Sequence, residues 1–312
     1  MIAASIDIGS NSVLLSVSEV DTNKGLIEEL VSESHVTALG RNVDKTGELS
    51  KEAMDETFEA LKKYVEILKK YEISVESVPV TATEAARNAK NSRDFFSRVM
   101  SELGLKVKIL SAEGEAFYTG LGVLSGKEIK QKFSGQREIV VMDIGGSSTE
   151  LMRVRTSKGV VSEMVSLPVG SVRAKEWFDE NCFDSKIQKI FSEYNLARFE
   201  TKDLVCVAGS MTSLAAMMSG MRKFDHGKLE GESISFSDFS SFIDKIAHFS
   251  GEDLSLRYPF LGKRTSTIIA GARLAKVLIE KIKVENLIVS TQGLRHGLLV
   301  EGRVLDQFIV TG

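Results

Sequence analysis

An aspartate leaves an apolar run, two glycines turn the chain, small hydroxyl residues follow, and a second acid stands on the returning segment. The stretch is Asp143, Ile144, Gly145, Gly146, Ser147, Ser148, Thr149 and Glu150, entered from the apolar residues 139–142. Such a set can hold phosphate and a metal together. Glycines let bare backbone N–H groups approach an anion, and a carboxylate at a strand end can take Mg²⁺ directly or through water. A near copy, Asp7, Ile8, Gly9, Ser10, Asn11 and Ser12, stands between the apolar runs 2–6 and 13–17. The second aspartate follows the first by 136 residues (143 less 7), a domain-sized interval. One copy alone is also what an ordinary glycine hairpin looks like. Two copies so far apart point to a duplicated fold in which each half offers a turn to one end of a phosphate chain.

Three more stretches could meet an anion. Residues 81–87, T-A-T-E-A-A-R, follow a short apolar strand and predict a helix start with Arg87 folded back as a clamp. Residues 168–173 place Arg173 just after Gly170 and before a helix, and Gly209, Ser210, Met211 and Thr212 open another helix. Glu115 falls in the first turn of a helix entered at Ser111, where the helix dipole favours a charged carboxylate able to take a proton from water. Taken singly, such an acid reads as a capping residue and such an arginine as a partner for a surface acid.

The elements around these residues follow from pattern. Residues 2–8, 12–20 and 25–37 read as a three-stranded meander with a turn at 21–25. Ser50 caps a helix whose apolar positions Ala53, Phe58, Leu61, Tyr64, Val65 and Leu68 recur every three or four residues, with lysines and glutamates on its solvated face. A second amphipathic helix starts at Ser92 and stops at Gly104. From residue 138 the chain repeats its opening of strand, turn and meander. The expected fold class is therefore α/β, with mixed sheets flanked by helices in two domains, 1–118 and 119–298. A C-terminal helix over about 299–312 is expected to pack back on the first domain. The 312 residues suit two domains of about 150 each.

Composition narrows the function. With 43% apolar and 27% charged residues and no apolar run near the roughly 18 that a span needs, no membrane partner is expected. The N-terminal residues lack a basic flank before an apolar segment, so the expected address is cytoplasmic. Cys182 and Cys206 read as reduced thiols, and four scattered histidines give zinc no support. A net charge of −3 argues against bulk nucleic-acid binding.

In their order and spacing these turns resemble the exopolyphosphatase and guanosine pentaphosphate phosphohydrolase family, of the acetate kinase, sugar kinase, heat-shock ATPase and actin superfamily. The markers are the turns at Asp7 and Asp143, T-A-T-E-A-A-R ending at Arg87, S-A-E-G-E-A around Glu115, L-P-V-G-S-V-R at Gly170, A-G-S-M-T at Ser210 and G-L-R-H-G at Arg295. The resemblance implies two actin-like (ribonuclease H-like) domains with five-stranded mixed sheets and an active-site cleft between them. It implies release of a terminal phosphate from polyphosphate, or of the 5′-phosphate from guanosine pentaphosphate, by a homodimer of such chains using Mg²⁺, or Mn²⁺ as the second hard ion. It carries water activation onto Glu115 with Arg87 as its catalytic partner. Phosphate binding falls to Gly9, Ser10, Asn11, Ser12, Gly145, Gly146, Ser147, Ser148, Ser210, Thr212 and Arg295, and metal binding to Asp7, Asp143 and Glu150. The chain departs from the family pattern at Gly114, Ser147, Met211 and His296, where Ser147 would crowd a phosphate and Met211 would block the turn. Those departures keep two alternatives open: a catalytically weak sensor of alarmone or polyphosphate, and a small-molecule kinase of the same superfamily.

Overall fold

In residues 2–21 apolar side chains alternate with serines, and the structure shows why. The structure, a computed structural model, describes residues 1–21, 26–157 and 159–310, leaving aside the side chains of Leu26 and Ile27. The turn expected at 21–25 falls outside the described residues beyond Asp21. β1 (Ile2–Ile8) pairs antiparallel with β2 (Ser12–Asp21), setting Ile6 opposite Leu15 and Ile8 opposite Val13. These four side chains are buried on one face, against the helices Lys51–Lys70 and Ser92–Leu103. Each contributes about 1.5–3 kcal/mol of burial, enough to offset about 1–2 kcal/mol of backbone entropy per ordered residue. The other face pairs Ser5 with Ser16 and Asp7 with Leu14.

With β3 (Leu26–Val36), β4 (Val80–Ala82) and β5 (Val107–Ile109), the sheet runs β3-β2-β1-β4-β5, antiparallel through the meander and parallel from β1 onward. The second sheet repeats this plan. β6 (Glu138–Ile144), β7 (Thr149–Arg155) and β8 (Val160–Leu167) form the meander, and β9 (Asp203–Val207) lies parallel to β6. β10 (Ser233–Ser235) and β11 (Asn286–Val289) complete the order β10-β11-β9-β6-β7-β8. Both halves are the mixed, helix-flanked sheets of the actin-like plan. The second has six strands instead of the expected five, because β10 adds an antiparallel edge of three residues, too short to show any period in the sequence. Its core joins Met142, Leu151, Leu204, Cys206, Leu214 and Leu278.

The chain forms two compact units, residues 128–291 and residues 1–127 with 292–312. In the latter, the helix Ala112–Ser125 packs on the helix Leu294–Glu301 through glycines. A Cβ on Gly297 would lie 1.8 Å from the Tyr118 carbonyl oxygen, and one on Gly122 would lie 2.0 Å from that of Gly293. The last helix thus spans 294–301, not 299–312. Gly302, at φ +75°, stops it in the left-handed region that glycine adopts without strain. The chain then turns back so that Ile309 bridges Leu110 and the Phe308 ring lies 4.9 Å from that of Phe117. Residues 311 and 312 lie outside the described residues. Among the described residues no helix is long and apolar enough to cross a membrane.

Candidate functional site

The two turns are built alike. Gly9 N–H donates to the Ser12 carbonyl at 2.9 Å, and Gly145 N–H donates to the Ser148 carbonyl at 3.0 Å. In the first turn, loop residues Thr37 and Ala38 donate to the Asn11 carbonyl at 3.1 and 3.0 Å, and Gly40 donates to the Ser10 carbonyl at 2.7 Å. In the second, Ser171 donates to the Gly145 carbonyl at 2.9 Å and Val172 to that of Gly146 at 2.8 Å. Carbonyls face backward into these loops. Among the described residues, the N–H groups of Ser10, Asn11, Gly146 and Ser147 have no protein acceptor, which is the donor pattern an anion needs.

In the first unit, β1 carries Asp7 and sets it beside Thr81 of β4. Asp7 Oδ1 is buried with no hydrogen-bond partner. Burial pushes its carboxyl up to about 7, against the charge of Arg295 and the hydrogen bond from Thr81. A buried carboxylate oxygen without a donor costs several kcal/mol unless a proton or cation meets it. The helix Glu84–Asn88 is only five residues long, and its Ala85 N–H donates to Ser10 Oγ at 3.2 Å. This segment therefore braces the first turn, where the sequence had suggested an anion site at its N-terminus. It also projects Arg87, whose Nη1 donates to the Leu110 carbonyl at 2.6 Å and forms an ion pair with Glu115 Oε1. Glu115 sits in the first turn of its helix, capped by Ser111, whose Oγ accepts from Gly114 N–H at 3.2 Å. The two residues singled out 28 positions apart are in direct contact.

In the second unit, Asp143 on β6 is directly opposite Glu150 on β7, so both carboxylates project from one face. Glu150 is nearly buried and accepts from Ser166 Oγ at 2.7 Å. Behind the turn, a Cβ on Gly170 would meet the Gly145 and Gly146 carbonyl oxygens at 2.6 Å, so only glycine fits. Arg173 is buried and donates to the Ser147 carbonyl at 2.6 Å. Both were visible in the sequence as a turn and an arginine, and both hold the second turn. Thr149 Oγ1 adds a bond to the Val169 carbonyl at 2.6 Å.

The other expected residues are held by their own neighbours. Arg295 is 7% exposed, donates to the Leu15 carbonyl at 3.1 Å and to Ser32 Oγ at 2.8 Å, and pairs with Glu29 at 3.3 Å. It fastens the last helix to the sheet, and its charge reaches Asp7. Thr212 is committed to the Ala208 carbonyl at 3.0 Å, and Ser210 packs against Gly271. Met211 is buried in the unit's core, so it does not block the turn it belongs to. Among the described residues no three His, Cys, Asp or Glu side chains are gathered to hold a metal. Within the second unit, the facing carboxylates of Asp143 and Glu150 are of the kind Mg²⁺ takes, one or two at a time with several waters kept.

Comparison with known proteins bears on the family and the fold. The Ppx/GppA phosphatase family model matches residues 16–304. The chain is 26% identical over 325 residues to exopolyphosphatase 2 of Mycobacterium tuberculosis, covering 95% of this chain and 96% of that one. It is 28% identical over 315 residues to the bifunctional 3-dehydroquinate synthase/phosphatase of Fusobacterium nucleatum, covering 96% of this chain but only 46% of that protein. The crystal structure of the Aquifex aeolicus Ppx/GppA family member superposes with TM-score 0.75 at 30% identity, covering 96% of this chain and 97% of that one. With the family model spanning most of its length, the chain belongs to the Ppx/GppA phosphatase family.

Proposed function

We propose that the protein is an exopolyphosphatase that releases orthophosphate from the end of inorganic polyphosphate, with the 5′-phosphate of guanosine pentaphosphate as a second substrate. The observation that carries this reading is the Arg87–Glu115 pair in the unit whose turn leaves the N–H groups of Ser10 and Asn11 without acceptors. Phosphoryl transfer needs an oriented nucleophile and positive or N–H groups around the developing charge, and little covalent work from the protein. Glu115 accepts a proton from water as its oxygen attacks the terminal phosphorus. The P–O bond to the bridging oxygen breaks, and that oxygen leaves with the shortened chain. Arg87 fixes the Glu115 carboxylate and offers its remaining guanidinium donors to the terminal phosphate. The turn N–H groups hold phosphoryl oxygens. Mg²⁺ or Mn²⁺ held by Asp7, Asp143 or Glu150 would neutralise phosphate charge. The resemblance that suggests polyphosphate also suggests a homodimer.

Glu115→Gln tests the reading. Phosphate release from polyphosphate with Mg²⁺ is expected to fall about 10³-fold in kcat, the usual size of a general-base effect, while polyphosphate binding persists. Release unchanged in the variant would remove Glu115 from the mechanism. A wild-type chain that binds polyphosphate without releasing phosphate would favour the sensor, and one that makes ADP only with a small-molecule acceptor would favour the kinase.

A further inference from the structure

Each turn is held by a loop that donates backbone bonds to its carbonyls, and each loop carries an arginine. Gly40 N–H bonds the Ser10 carbonyl at 2.7 Å, and Val172 and Arg173 N–H bond that of Gly146 at 2.8 and 3.3 Å, so Arg41 and Arg173 both stand where a loop meets its turn. Their fates differ. Arg173 is buried and its guanidinium donates to the Ser147 carbonyl. The corresponding carbonyl in the first turn, that of Asn11, already accepts two backbone bonds, from Thr37 and Ala38. A carbonyl oxygen has two lone pairs, so no place is left there for an arginine. Arg41 is exposed and, among the described residues, makes no ion pair or side-chain hydrogen bond. The backbone around it is fixed: Arg41 N–H bonds the Ala38 carbonyl at 3.0 Å, and Ala38 and Asn42 on either side hold φ of +50° and +58°. Two non-glycine residues in the left-handed region within one short loop store strain, a feature common where a loop is shaped to present a group.

We propose that Arg41 is a phosphate-chain-binding residue, a guanidinium freed from the strut role of its counterpart and presented beside the first turn. The proposal rests on the exopolyphosphatase reading for its substrate. Arginine suits the task because its planar fork takes two phosphate oxygens at once.

The test compares wild type, Arg41→Gln and Arg41→Lys in polyphosphate hydrolysis and in calorimetric titration with polyphosphate across a salt series. Arg41→Gln is expected to raise KM and Kd about tenfold with kcat within about twofold. It should also lower the slope of log affinity against log salt by about one, as loss of one phosphate contact does. Arg41→Lys should restore the salt slope and part of the affinity. Both variants should melt with wild type, whereas Arg173→Gln, which removes a buried strut, should lower Tm by about 5 °C. Wild-type KM, Kd and salt slope in Arg41→Gln would overturn the proposal and leave the functional reading standing. A wild-type chain that neither binds nor hydrolyses polyphosphate would overturn that reading itself.

Discussion

Arg87 meets two acceptors with one nitrogen, and that geometry decides what it can be exchanged for. Nη1 serves both the Leu110 carbonyl and Glu115, which leaves the rest of the guanidinium for a ligand. Lysine keeps the charge but not the fork, so one ammonium would have to hold the carboxylate and the phosphate at once. For Arg87→Lys, kcat/KM on polyphosphate is expected to fall about 10²-fold with kcat carrying most of the loss, measured by steady-state phosphate release. Residue types and local spacing made Arg87 and Glu115 legible in the sequence, but not their contact. That contact arises because parallel pairing sets Ala82 of β4 beside Ile109 of β5, bringing the two following segments together. Arg295 shows the converse. Its motif was equally visible, yet its burial against Glu29 and Ser32 was not, because no local pattern states which face of a helix meets the sheet.

Glycines govern how closely the elements approach. The helix bearing Glu115 crosses the last helix where Gly122 and Gly297 leave no room for a Cβ against backbone atoms. Backbone cannot yield as a flexible side chain can, so Gly297→Ala must push the helices apart. Destabilisation of about 3 kcal/mol or more is expected, read from denaturant midpoints, together with lost activity through displacement of Glu115. Gly114, where the family pattern has an acid, has the same kind of cause. An added Cβ would sit 2.7 Å from Phe308 Cβ, in the segment whose Phe308 carbonyl accepts from Ser111 N–H at 2.8 Å. The departure thus makes room for the returning chain and leaves Glu115 in place. The amphipathic helices and the meanders could be read from periodicity because one face of each is buried. The three-residue strand β10 and the early stop of the last helix could not, since short edges and single left-handed residues leave no repeating pattern.

At the scale of the whole molecule, one unit is made of two distant pieces of chain, and a buried polar cluster joins them. Ser5 Oγ donates to the Arg295 carbonyl at 2.7 Å, Ser16 Oγ to Glu29 at 3.0 Å, and Gly293 N–H to His296 Nδ1 at 3.1 Å. Since Nδ1 accepts, the proton of a neutral His296 is on Nε2, which faces Glu29 Oε1 at 3.4 Å. Burial holds His296 below the usual imidazole range; the hydrogen bond to Glu29 pulls it upward, and the Arg295 charge presses it further down. The sign of its pH effect follows. Above about pH 6.5 the histidine is neutral in both folded and unfolded chains and the contribution is complete. Below that, the unfolded chain takes up a proton that the folded one resists, so stability falls as pH falls until the folded group itself titrates. One group contributes a slope of at most about 1.4 kcal/mol per pH unit. Because this unit has its own core, the loss should appear in the unfolding of residues 1–127 with 292–312. Urea midpoints measured between pH 8 and pH 5.5 should fall more steeply for wild type than for His296→Gln, which retains a donor for Glu29 but cannot titrate. Parallel curves for the two proteins would show that folding does not resist protonation of His296.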